Sequence, residues 1–328
     1  MLQTAGFAEI ISIIEKAKVK IYKAVNNGLI DMYWEVGKYI SHKIAEDRWG
    51  KGTIQDFSRY LEQHYPDIKG FSASNLWRMR QFFETYMDEP KLAPLVREIT
   101  WSNNILIMAS AKTSEAREFY INLCIKNNHS KRELERQIDT MLFERTMLSN
   151  RRNKNLIAKN NRLRAFRDNY TLEFLNLADN HKEKDLRRSI LVNLKKFILE
   201  FGKDFSLISE EYRIQVGNQD FYIDLLFYNR ELTCLVAIEL KVEKFSPAHL
   251  GQLNFYLEAL DRDVRKPHEN PSVGLIFCTS KDDTVVEYAL NRSLTPALVS
   301  EYALKLPDKK LLQEKLAEIK DFSDLTDE

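Results

Sequence analysis

The chain has 328 residues, 44% hydrophobic and 30% charged, a composition that fits a globular protein of two domains and argues against long disorder. Its 49 Lys and Arg nearly balance 48 Asp and Glu, so it is neither a polycation nor a polyanion. Three scattered cysteines without a CxxC pair exclude a disulfide framework and a zinc cluster, and there is no signal-peptide pattern and no run near the ~18 apolar residues of a membrane span, so a cytoplasmic protein without membrane contact is expected.

Up to about residue 145 apolar residues recur at helical spacing, as in Ile10, Ile14, Ala17 and Ile21 and later Tyr33, Val36 and Ile40, so this half is expected to be all-helical. Glycines in WGKG and DIKG, and Pro90 and Pro94, break it into segments. The stretch TIQDFSRYLEQHYPDIKGFSASNLWRMRQFFETY reads as two helices around a short Gly-containing turn, a helix-turn-helix arrangement. Ser72 would cap the second helix and Leu76, Met79 and Phe83 would pack inward, leaving Asn75, Arg78 and Gln81 as candidates for contacting DNA. Any amphipathic helical hairpin has a polar outer face, so plain helical packing explains the same residues. Ser130 and Glu133 form a capping box opening a helix to about Leu142.

Between Arg145 and Arg167 lie eight basic residues and no acidic one, among them Arg151, Arg152, Lys154, Arg162 and Arg164. Such a segment can contact phosphates, or it can be a solvated linker. The expected division is a helical domain over 1–145 that binds DNA or a partner, a basic linker over 146–169 and a second domain over 170–328.

A long helix is expected to run up to Gly202, after which the period changes to two. Tyr212, Ile214 and Val216 alternate with polar residues, Gly217-Asn218 supplies a turn, and FYIDLLFYN and LTCLVAIELKV complete a meander of three strands. Ser246-Pro247 then opens a helix to about Leu260, and VGLIFCT is a strand buried on both faces. A helix after Asp283, a last strand near Val299 and an amphipathic terminal helix that could pack on its own domain or on a second subunit finish the chain.

Asp224 interrupts the apolar run YIDLLFY, and Glu239 and Lys241 fall in the next, VAIELKVEK. Charge persists in such strands when it is paired, reaches solvent or binds a metal. Alternation puts Glu239 and Lys241 on one face, and a hairpin around Asn229-Arg230-Glu231 would bring Asp224 to it. Two carboxylates converging on one point make a hard-oxygen site for Mg2+ or Mn2+, and a lysine beside them can orient water or offset charge on a phosphoryl transition state. On the following helix Gln252 and Tyr256 lie four apart and share a face.

Ile223-Asp224 followed 15 residues later by Glu239-Leu240-Lys241 resembles the PD-(D/E)XK nuclease superfamily, with Ile223 in place of the usual proline. Gln-x-x-x-Tyr on the next helix is similar to the arrangement in RecB-type exonuclease domains, and the wider string from Gly217 to Asp261 resembles the YhcG-like bacterial nucleases along nearly the whole chain. The resemblance implies a two-domain α+β protein: an all-α, helix-turn-helix-like N-terminal domain and an α/β restriction-endonuclease-like domain with a mixed central sheet. It further implies catalysis by Asp224, Glu239, Lys241 and Gln252 with Tyr256 in support, the Leu240 carbonyl completing the metal shell, and Glu200 in KKFILEFGK as the helix glutamate near the metal. The expected activity is Mg2+- or Mn2+-dependent hydrolysis of phosphodiester bonds, chiefly in DNA, in a restriction, repair or recombination setting. The alternatives are a degenerate nucleic-acid-binding module and a helical half that binds a protein partner, as a homo-oligomer or in a restriction or repair complex.

Overall fold

Helical spacing governs the first of two units, Met1–Ile138, in the computed structural model of the protein, which describes residues 2–46, 48–152, 165–291 and 296–324. Its helices are α1 (Leu2–Ala45), α2 (Lys51–His64), α3 (Ala73–Tyr86), α4 (Trp101–Ser110), α5 (Ser114–Asn127) and α6 (Lys131–Asp139), the last ending at the boundary. The Ser72 hydroxyl accepts from the Asn75 N–H and caps α3, and Ser130 and Glu133 exchange the two bonds of a capping box at α6. The expected inward face of α3 is buried, with Phe82 and Tyr86 joining it. α1 and α3 cross closely at Gly37, where an added Cβ would fall 2.0 Å from the Met79 carbonyl oxygen.

The second unit, Asp139–Glu328, is a six-stranded mixed sheet between helices. Its strands are β1 (Asn169–Thr171), β2 (Phe205–Val216), β3 (Gln219–Asn229), β4 (Cys234–Leu240), β5 (Asn270–Cys278) and β6 (Ala297–Ala303), in the order β1-β6-β5-β4-β3-β2. β2, β3 and β4 form the expected antiparallel meander, and β4, β5, β6 and β1 run parallel. On one face α8 (Glu183–Val192) and α9 (Leu194–Phe201) bury Leu186, Ile190, Phe197 and Phe201 against Leu225, Val236, Ile238 and Phe277. On the other, α10 (Ala248–Ala259) and α11 (Asp283–Asn291) cover Ile223, Leu226, Ala237 and Ile276. β4 is therefore covered on both sides, which explains its unbroken apolar character apart from Glu239.

Two local expectations need correction. The single helix expected from Leu172 to Gly202 is a 3-10 turn at Glu173–Leu175 and two helices that break at Asn193, whose side chain donates to the Ser189 carbonyl at 3.1 Å and helps to end α8. The strand β1 before it is too short to show a period. Pro247, not Ser246, precedes α10, and the Ser246 N–H instead donates to His249 Nδ1 at 3.3 Å. Within the second unit α7 (Leu142–Arg152) packs against the terminal helix α12 (Lys309–Asp324), and the buried Arg145 bonds the Asn169 carbonyl and Glu200. Among the described residues no helix is long and apolar enough to cross a membrane.

Replacing Gly37 with alanine forces a methyl into the Met79 backbone, which no rotamer change can relieve. Gly37→Ala is expected to destabilise the helical unit by about 2–3 kcal/mol, read as a lowered denaturation midpoint; an unchanged midpoint would show that α1 and α3 do not cross this closely.

Candidate active site

β3 and β4 pair from their turn only as far as Leu225 and Ile238, beyond which β3 stays with β2 and β4 with β5. The strands part at the residues that carry charge, Asp224 and Glu239. Asp224 reaches across this fork and accepts the Leu240 N–H on Oδ2 at 3.0 Å, a donor that the diverging strand has left without a ladder partner on that side. Lys241 follows as β4 ends, its Nζ 3.1 Å from Glu239 Oε1. Asp224, Glu239 and Lys241 are thus brought together as expected from their spacing.

Three further charged residues belong to this cluster and are absent from the sequence-based set. Arg187 of α8 donates to Asp224 Oδ1 and to Glu211 Oε1, each at 2.7 Å. Glu183, one turn earlier on α8, lies 3.6 Å from Lys241 Nζ. Glu211 faces Asp224 from β2, between the pairs Glu210–Leu225 and Tyr212–Ile223, and its backbone is left-handed at φ 43°. A non-glycine residue there carries local strain, so the distortion opposite the central aspartate marks a place where the fold gives up backbone comfort. In the sequence Glu183 and Arg187 lie in KEKDLRRS, a charge run indistinguishable from a solvated helix face. Their four-residue spacing was the available signal.

Electrostatics within the cluster are uneven. Glu239 is only 3% exposed, and burial, reinforced by the Asp224 charge and only partly opposed by Lys241, pushes its carboxyl up to about 7. Its Oε2 is buried and has no hydrogen-bond partner among the described residues. Burial works against charge on Lys241, but Glu239, Glu183 and Asp224 together outweigh it and hold the ammonium above its ordinary value. Gln252 donates to the Tyr256 hydroxyl at 2.7 Å, and Tyr256 is raised by burial and, beyond the opposing Gln252 bond, by the fields of Glu239 and Asp224. That coupling brings the α10 pair to the rim of the cluster.

Among the described residues no group of three or more His, Cys, Asp and Glu side chains converges to hold a metal by itself. The donor set is instead two carboxylates, one with an open buried oxygen, which fits a hard cation that takes its remaining ligands from carbonyl, water and phosphate oxygens.

Other sequence-based candidates lie elsewhere. Glu200 is fully buried at a different centre, accepting the Thr171 N–H at 2.9 Å and flanked by Arg145 and Arg167 at 3.4 and 3.5 Å, so it is a structural acid and Glu183 is the helix glutamate beside the site. Asn75 is committed within its own unit, donating to the Gly70 carbonyl and accepting from Trp101 Nε1 at 3.0 Å, which leaves exposed Arg78 and Gln81 on the outer face of α3. Arg151 and Arg152 end α7, and their side chains, like all of Lys154, Arg162 and Arg164, lie outside the described residues.

The chain is similar to known proteins over most of its length. Residues 163–317 match the family model of the YhcG PDDEXK nuclease domain, and residues 9–145 match that of the DUF1016 N-terminal domain. The chain is 32% identical to the Escherichia coli (strain K12) protein named "Putative nuclease YhcG", over 95% of this chain and 94% of that one. Two solved structures are similar at lower levels. A repair endonuclease from Pyrococcus abyssi is 18% identical over 40% of this chain and 50% of that one with a TM-score of 0.28, and EndoMS in apo form is 17% identical over 40% and 49% with a TM-score of 0.26.

Folded Glu239 keeps its proton to about pH 7, whereas an unfolded glutamate loses it near 4.5. The folded chain therefore binds more protons within that window, and metal-free stability falls as pH rises through it, by at most about 3 kcal/mol. Glu239→Gln should flatten this loss in thermal unfolding between pH 5 and 7.5; a slope equal to that of the parent would mean that Glu239 is charged throughout. Glu200→Ala should cost about 3–5 kcal/mol by leaving the buried Arg145 guanidinium, and the half-buried Arg167 beside it, uncompensated, with Mn2+ affinity unchanged in titration calorimetry.

Proposed function

The chain belongs to the YhcG family of PD-(D/E)XK nucleases, and from that premise we propose that it hydrolyses phosphodiester bonds in DNA with a divalent cation, Mg2+ or Mn2+, at the β3–β4 fork. The observation that carries this reading is the buried Glu239 carboxylate, with one oxygen unpartnered, between Asp224 and Lys241.

Asp224, Glu239 and the Leu240 carbonyl would hold the cation. When bound, it lowers the pKa of a water and offsets charge on the phosphoryl group. The protein's own groups do the rest. Lys241, kept protonated by its acidic neighbours, points a fixed positive charge at the reacting phosphate and orients the attacking water. Asp224 is fixed in turn by the Leu240 N–H and Arg187, so it enters the site without a search over rotamers. Gln252, steadied by Tyr256, lines the side on which substrate would lie. Glu183 completes the negative rim beside Lys241. Exposed Arg78 and Gln81, with the basic segment that includes Arg151, Arg152, Lys154, Arg162 and Arg164, are the proposed contacts to the sugar-phosphate backbone. Three buried cysteine thiols suit a reducing cytoplasm, and a restriction, repair or recombination role fits the chemistry.

The test is cleavage of linear, nicked, branched and single-stranded DNA by the purified chain with Mn2+ or Mg2+. Cleavage should require the metal, and Lys241→Ala should slow it by about 100- to 1,000-fold while DNA binding holds. Mn2+ binding by calorimetry should be lost in Asp224→Ala. If every DNA stays intact and no Mn2+ binds, the site is degenerate and the chain is a nucleic-acid-binding module.

A further inference from the structure

From Glu9 to Val25 every residue of α1 is exposed, so the described residues leave these turns of the helix uncovered. Solitary helices of this length are marginal in water, and this one carries an apolar seam. Phe7, Ile11, Ile14, Ile21, Val25 and Met32 follow spacings of three and four residues, with Lys18 and Gly28 at the two remaining seam positions. That is the repeat of a helix built to lie along another helix. The seam spans roughly 38 Å. It lies on a different side of α1 from Ile30, Tyr33 and Gly37, which pack into the helical unit.

The same seam continues through Val36 and Tyr39 into a groove of 640 Å³ between α1, α2 and the turn after α2, walled also by Trp49, Phe57, Leu61 and Ile68. One chain thus bears an uncovered apolar helix and an open apolar groove of matching character. They cannot meet within the chain, because both belong to the same helix and Ile14 stands roughly 38 Å along the axis from Tyr39. A second copy can supply each to the other.

We infer that the protein forms a two-fold symmetric dimer in which the N-terminal half of α1 from each copy runs antiparallel along its partner's α1 and seats Phe7, Ile11 and Ile14 in the partner's groove. The two-fold axis falls near Val25, and each seam residue then faces another seam residue or the groove. An isologous contact of this kind closes at two subunits and leaves neither seam nor groove open. The groove selects the direction. A parallel pair would set Phe7, Ile11 and Ile14 against their own copies and leave both grooves open, whereas the antiparallel pair brings them to Val36 and Tyr39 of the other copy, at the groove.

Sedimentation equilibrium of the full chain should give a dimer. Ile14→Glu with Ile21→Glu should weaken it more than about 1,000-fold, since four buried seam positions per dimer are lost. Both residues are exposed in the single chain, so circular dichroism and unfolding of the variant monomer should be unchanged. Direction is read by mild oxidation of cysteine variants, with the native cysteines buried. Ile11→Cys mixed with Tyr39→Cys should cross-link to each other, and Ile11→Cys alone should not. A monomer at every concentration, a dimer indifferent to the two glutamates, or self-linking of Ile11→Cys would each overturn the inference.

Discussion

Two carboxylates held together in a water-poor fork set the terms for everything around them. Asp224 and Glu239 sit where β3 leaves β4, and each charge raises the cost of the other. Asp224 is met by Arg187 and the Leu240 N–H, Glu239 by Lys241 alone. The arrangement stays one positive charge short of comfort on the Glu239 side. A protein selected for stability would close that gap with a second donor or replace the acid with an apolar residue, as the rest of β4 does. Keeping the gap makes sense where a cation and a phosphate complete the charge balance.

Glu200 shows the contrast inside the same unit. It is as buried as Glu239 and as far from bulk water, yet Arg145, Arg167 and the Thr171 N–H surround it. Its role is to tie α7, β1 and α9 together. Burial alone therefore does not set the two acids apart; their partners do, two guanidinium groups and a backbone N–H around Glu200 against one ammonium at Glu239. The strained Glu211 belongs with the reactive centre on the same reasoning, because the backbone bends where Arg187 must reach two acids at once.

The sequence was informative where a side chain's cost was local. An aspartate in YIDLLFY and Glu-x-Lys in VAIELKV contradict their apolar surroundings, so Asp224, Glu239 and Lys241 stood out, and alternation along β4 was enough to put Glu239 and Lys241 together. The meander, the helix bearing Gln252 and Tyr256, and the strand at β5 were legible from period and turn residues. What could not be read depended on three-dimensional arrangement. Glu183, Arg187 and Glu211 lie on amphipathic or exposed stretches where charge is ordinary, and only the fork gives them a function. Glu200 is the glutamate that the family resemblance places near a metal, and nothing in KKFILEFGK tells that Arg145 and Arg167 answer it instead. Asn75 looked free on α3 until the turn at Gly70 and the indole of Trp101 closed on it.

The helical unit poses the same question of closure with apolar surface in place of charge. Its groove and the bare half of α1 are each unfavourable exposures, and their match in spacing and character ties them to one solution. A dimer closed through α1 would give each assembly two copies of the β3–β4 fork. Every group in the cluster comes from a single chain, so the geometry around Glu239 is a property of one fold and does not depend on pairing.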